Sequence, residues 1–162
     1  MLSASIDGAD ALRARLDAYP AALANALAAK AQELAVALAD KVRYEKLAGE
    51  VLNSRSGVLA ASVAAEVSGD SDGVMATIGS FGDVKYAAIQ EFGGRTAAHE
   101  ILPDKAAVLA FVANGAMHFA RRVEHPGSLM PERSYLRASL DEMRDEIVAA
   151  LAATASESWE GT

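Results

Sequence analysis

The sequence predicts an α+β fold, with an antiparallel sheet of about four strands flanked by a long N-terminal helix and a C-terminal helix. Two observations at the ends and one in the middle predict it. Leu12, Leu16, Tyr19, Leu23, Leu27, Leu34, Leu38 and Val42 form an apolar stripe at helical spacing near the start. Leu136, Leu140, Met143, Ile147 and Leu151 form a second stripe near the end. Between them lie alternating segments separated by turn residues, the pattern of two hairpins. A chain of 162 residues is about one domain by length and can bury a real core, so residues 1–162 are taken as a single domain.

The N-terminal helical region covers residues 8–48. Alanine fills most positions off the stripe, which favours helix and permits close approach of a neighbour. Pro20 cannot sit unperturbed inside a helix but fits a first turn. A short helix at about residues 8–18 is therefore expected, then a long one from Pro20 to Lys46. The long helix either lies over its own sheet or projects one end toward another chain.

The sheet region covers residues 55–124. Asn53–Ser62 reads as a turn entering a strand. Val63, Ala65 and Val67 alternate with Ala64, Glu66 and Ser68, and Val74, Ala76 and Ile78 with Met75, Thr77 and Gly79. The acidic GDSDG at residues 69–73 is turn chemistry. It lacks the distant bidentate Glu of a calcium loop. A second hairpin is expected over residues 107–124 around Asn114-Gly115, with a short strand His99–Leu102 before it, ended by Pro103.

The stretch Val84–Gly94 sits between the hairpins and reads as a short helix over residues 85–92. Tyr86, Ile89 and Phe92 share one helical face, so both aromatics are expected to be buried, with Glu91 at the rim. Gly93 and Gly94 stop the turn. After the second hairpin, His125-Pro126-Gly127 opens an irregular segment ending at Pro131. The C-terminal helix is expected over residues 134–153, with residues 154–162, which hold the single Trp, as a frayed tail.

Composition narrows the function classes. There is no Cys, so no disulfide framework and no thiolate metal site. No run of about 20 apolar residues spans a membrane. The start MLSASIDGADALR lacks the basic and apolar regions of a signal peptide. A formal net charge of −7 argues against wrapping duplex DNA, although an acidic wall would let DNA slide past without sticking. His99, His118 and His125 gather around the second hairpin, but match no helical metal-ligand pair and read as solvated edge residues. Ser62, His99 and Glu91 make a hydrolytic set on paper only, with no nucleophile-elbow sequence, and no phosphate-binding glycine loop is present. The chain reads as non-enzymatic, with no cofactor and no metal.

Four short motifs occur in order. They are Arg55-Ser56-Gly57-x-Leu59-x-x-Ser62, Tyr86-Ala87-x-x-x-Glu91-Phe92-Gly93, His125-Pro126-Gly127, and Arg133-Ser134-Tyr135-Leu136-Arg137-x-Ser139-Leu140. Together, across about residues 50–150, the set resembles the tail-completion or head–tail joining proteins of long-tailed bacteriophages and prophages. That family carries an Arg-Thr-Gly-x-Leu turn, a Tyr-Ala-x-x-x-Glu-Phe-Gly segment and a Pro-Phe-Leu-Arg-Pro-Ala-Leu lead into its last helix. Here Ser56 replaces Thr, Gly94 replaces the Thr after Phe-Gly, Ser134-Tyr135 replace Pro-Phe, and Ser139 replaces Pro. The resemblance implies a structural virion protein at the head–tail junction, in a homo-oligomeric and usually six-fold ring. Its implied partners are the tail-tube protein and head-side neck or portal-adaptor proteins, with DNA passing through unbound. Tail termination and head closure are alternative roles in the same neck, and a soluble dimeric binding module is the non-viral alternative. Arg121, Arg122, Arg133 and Arg137 cluster in an otherwise acidic chain and are candidates for a protein interface, against the plainer reading of scattered solvated charges.

Overall fold

A computed structural model describes residues 8–53, 55–70 and 73–160. The start of the chain, the centre of the acidic turn at 71 and 72, and the last two residues lie outside them. The fold is mixed α+β, as expected, with a long helix at each end and antiparallel hairpins between. The expected single domain divides into two compact units, one formed by the two ends of the chain and one by residues 88–133. Among the described residues the expected sheet of about four strands is divided into four separate two-stranded antiparallel ladders, which include both expected hairpins.

In the first unit, α1 (Ala9–Lys41) runs unbroken through Pro20, so the expected break is absent. Proline removes one rung of the hydrogen-bond ladder and costs about 3 kcal/mol inside a helix. Tertiary anchoring on both sides of it opposes that cost. The C-terminal helix α4 (Leu136–Glu160) runs antiparallel to α1. Arg15 Nη2 donates to the Trp159 carbonyl at 2.6 Å, and the Tyr19 hydroxyl donates to the Ala155 carbonyl at 3.4 Å. Trp159 meets the Tyr19 ring edge-on at 5.1 Å, with the Arg15 guanidinium 5.4 Å from its centre. The expected frayed tail is therefore helical as far as Glu160 and docked through Trp159, which has an aromatic and a cation to pack against. The apolar stripe of α1 is buried only in its second half. Leu34 and Leu38 are inside, whereas Leu12 and Leu16 are exposed.

A single π-helical turn, Val42–Lys46, follows α1, with Leu47 N–H donating to the Val42 carbonyl at 3.0 Å. The widened turn brings Val42, Lys46 and Leu47 all inward. Next comes a one-turn helix, α2 (Val58–Ser62), where a turn into a strand was expected. Gly57 caps it in the left-handed conformation at φ 72°, and Leu59 drops into the core. The hairpin of β1 (Val63–Asp70) and β2 (Gly73–Ser80) matches the expected register of alternation, pairing Val63 with Ser80 through to Asp70 with Gly73. The core joins Ala39, Val42, Leu47, Leu59, Val63 and Tyr135.

The inner face of α4 keeps Met143 buried and Leu136, Ile147 and Leu151 half-buried from the expected stripe, and departs from it at Leu140. Ser139 and Met143 are buried in succession behind Tyr135, while Leu140 is 48% exposed. Tyr135 sets this phase. It is the largest fully buried side chain among the described residues, and its hydroxyl reaches the Ala87 carbonyl at 3.4 Å. Ser139 can follow it inward because its hydroxyl donates to the Tyr135 carbonyl at 2.7 Å.

Helix α3 (Ala87–Phe92) carries the chain into the second unit. Three nested ladders then form one long interrupted hairpin. β3 (Gly94–Arg95) pairs with β8 (Leu129–Met130), β4 (His99–Ile101) with β7 (Val123–His125), and β5 (Leu109–Ala113) with β6 (Ala116–Ala120). The tip is Asn114-Gly115, both at positive φ (52° and 78°), the paired left-handed conformation of a tight two-residue hairpin turn. The segment after His125 is thus more regular than expected, since Leu129 and Met130 return to pair with β3.

Candidate functional site

The motif residues prove to be mostly scaffold. Leu59 and Tyr135 are core, Leu136 is half-buried beside them, and Gly57 is a helix cap. Gly93 holds φ 67°, and a Cβ there would stand 2.7 Å from the Glu132 backbone nitrogen. Gly127, at φ 82°, presses on the Thr96 backbone with no space for a side chain. Around it, Thr96 N–H donates to the Ser128 carbonyl at 2.9 Å, and Ser128 N–H donates to Thr96 Oγ1 at 2.7 Å. The Pro126 carbonyl accepts from Arg95 at 3.5 Å. Arg55 is exposed.

The central helix faces the opposite way from the expectation. Tyr86 is 44% exposed and Phe92 63% exposed, while Glu91, expected at the rim, is 2% exposed. The inward pair is Ala87 and Glu91, one turn apart. Spacing alone could not choose between the two faces, because a six-residue helix offers each face only two positions.

The histidines split up. His99 and His125 are cross-strand partners with rings stacked at 5.0 Å. His99 Nδ1 lies 3.2 Å from the Ala97 carbonyl, and His125 Nδ1 accepts from Gly127 N–H at 3.0 Å. His118 stacks on Phe111 instead. Among the described residues no three ligands gather around a metal-sized space. The Ser62 hydroxyl donates to the Leu59 carbonyl at 2.7 Å and lies 2.7 Å from the Ser80 hydroxyl, a structural use of the group.

One polar cluster was not anticipated. Lys46 is buried, yet its ammonium reaches Glu50 at 2.5 Å and Glu142 at 2.6 Å. Glu142 also takes Lys41 at 3.0 Å, and Lys41 takes Glu45 at 2.6 Å. The hydrogen bonds from Lys46 and Lys41 hold the Glu142 carboxyl below its ordinary range. In turn, the hydrogen bonds to Glu142 and Glu50 raise Lys46, and those to Glu45 and Glu142 raise Lys41. The cluster clamps the π-turn to α4. Its sequence trace was the pair of Lys-to-Glu steps of four residues, 41 to 45 and 46 to 50.

The surfaces with capacity for a partner are apolar. In the β5–β6 register Ala110 faces Phe119 and Val112 faces Met117. Those four form one face of the hairpin, and Val112, Met117 and Phe119 are 67%, 61% and 68% exposed. Neither strand carries a charge or a proline. Arg121 and Arg122 follow directly and are exposed, with Arg122 3.4 Å from Glu100. Arg133 is exposed too, and its backbone N–H donates to the Gln90 carbonyl at 2.9 Å. In the first unit, a groove of about 380 Å³ is lined by Leu38, Leu136, Arg137, Leu140 and the β2 residues Met75–Ile78. Arg137 therefore lies in a different unit from the other three arginines. The sequence offers the hairpins and edge strands as contact surfaces in general, without singling out these apolar faces. The available signal was the absence of charge on either face of residues 109–120.

No described helix is long and apolar enough to cross a membrane. Comparison of the chain with family models, curated proteins and solved structures gives no match.

Proposed function

We propose that this chain is a structural protein of a phage or prophage head–tail junction, acting in tail completion as a ring of identical copies. The ordered motif set of residues 55–140 suggests the family. The observation that carries the reading is the uncharged β5–β6 hairpin with one wholly apolar, solvent-exposed face. A two-stranded hairpin is marginal by itself, and such a face in water is an interaction surface awaiting its partner. Head-to-tail contacts between identical copies close into a ring when the rotation is right. Six-fold symmetry would match a tail tube, with the tail-tube protein on one side and a head-side neck or portal-adaptor protein on the other. A net charge of −7 suits a lumen that DNA crosses without adhering.

Imaging of particles carrying a tagged copy tests the assignment. A ring at the junction is expected, and removal of the chain leaves heads and tails unjoined. Absence from the junction, or one or two copies there, overturns the assignment in favour of a non-viral binding module.

A further inference from the structure

Two features of this chain fit each other. The first is the free edge of β2. Among the described residues β2 pairs only with β1, and four consecutive residues, Met75–Ile78, line the groove beside Leu38, Leu136, Arg137 and Leu140. Consecutive residues lining a groove mark a strand edge, since one face would contribute alternate residues. The β2 sequence GVMATIGS contains no charge and no proline, the usual guards of an open edge. The second feature is the β5–β6 hairpin, equally unguarded, with Val112, Met117 and Phe119 exposed on one face.

We infer that the β5–β6 hairpin of one copy adds to the free edge of β2 in the next copy, seating its apolar face in the groove. Main-chain pairing supplies the attachment, and the groove selects side chains, as in other strand additions. Charge argues for a second copy as the occupant. Residues 88–133 hold five acidic and five basic side chains, so the chain's net −7 lies in the first unit, which bears the groove. The incoming segment, residues 109–122, has no acid and brings Arg121 and Arg122. Beside the groove, Arg137 in its lining is followed one turn on by Asp141, with Arg144 and Asp145 a turn further, so the charge contrast is one of whole units and not of the groove wall. Two hairpins meeting each other would oppose like charges instead. Donor and acceptor surfaces differ, so the contact is heterologous and propagates from copy to copy. The inference rests on the proposed ring for its closure only.

The chain has no Cys, so single substitutions report cleanly. Full-length Met75→Cys and Phe119→Cys chains are mixed at high concentration under mild oxidation, with each alone as a control. A disulfide dimer specific to the mixture is expected. Adding the edge guard Thr77→Lys to the Met75→Cys chain lowers the yield about tenfold, with the unfolding midpoint unchanged. Self-dimers of Phe119→Cys as the main product, no dimer in any mixture, or a yield indifferent to Thr77→Lys overturns the inference. Particle imaging reads the virion assignment separately. Cross-linking without a ring at the junction removes that assignment and leaves strand addition standing, and a ring without cross-linking does the reverse.

Discussion

Truncating Leu59 and truncating Phe92 separate the core described above from the one the sequence suggests. Leu59 is 6% exposed among Val42, Leu47, Val63 and Tyr135. Leu59→Ala removes three carbons, worth about 0.8 kcal/mol each in transfer free energy. The cavity term brings the total to about 3–4 kcal/mol. For a chain of this size that lowers the thermal midpoint by roughly 6–16 °C. Phe92 has about two-thirds of its surface in water already. Full burial of a Phe side chain contributes about 1.5–3 kcal/mol, so Phe92→Ala costs about 0.5–1 kcal/mol. The assay is thermal and urea unfolding of both variants, followed by far-ultraviolet circular dichroism. If Phe92→Ala costs as much as Leu59→Ala, the helical face built on Tyr86, Ile89 and Phe92 is the buried one, and the packing argued here is wrong.

Gly93→Ala forces a side chain into left-handed backbone, at about 1–2 kcal/mol, and into the Glu132 backbone, so faster proteolysis within residues 88–133 is expected; unchanged cleavage rates would count against the close approach. For Glu142, the folded carboxyl lies below its ordinary value of 4.5, so its stabilising contribution is complete above that pH and is lost as pH falls through the depressed native value. The wild-type midpoint should therefore fall more steeply below about pH 4.5 than that of Glu142→Gln, and parallel acid limbs would refute the clamp. Tyr19→Ala should shift the emission of Trp159 to the red by wetting its ring, whereas identical spectra would place residues 154–160 in a frayed tail after all.

Long-range periodicity made the architecture legible. The two terminal helices, the β1–β2 hairpin and the Asn114-Gly115 turn each leave a local signal that the tertiary structure has no reason to override. The misreadings sit where a local rule met a stronger tertiary term. Pro20 is helical because Arg15 and Tyr19 are tied to α4 on one side and Leu34 and Leu38 are buried on the other. The α4 stripe departs only at Leu140, where Ser139 is buried behind Tyr135 in its place, because an aromatic excludes more water than Leu140 does and Ser139 can satisfy its hydroxyl within the helix. The sequence places residues 99–102 and 107–124 in one sheet with the first hairpin, because ladders of two to five residues resemble strands of one sheet when pairing is unseen.

The motif residues and the exposed apolar residues of the β5–β6 hairpin answer to different physical demands, and this explains why the former stood out in the sequence and the latter did not. Gly93 and Gly127 are dictated by backbone approaching backbone, and Leu59 and Tyr135 by volume inside a core. Such positions tolerate few alternatives and therefore read as motifs. An assembly surface of Val112, Met117 and Phe119 needs only apolar area and an open edge, which many sequences supply. What marks it is a conflict between levels. Residues 109–120 obey strand and turn chemistry throughout, yet leave one face of the hairpin in water. The absence of charge there, with all the net acidity carried by the rest of the chain, is the contrast on which the proposed contact between copies draws.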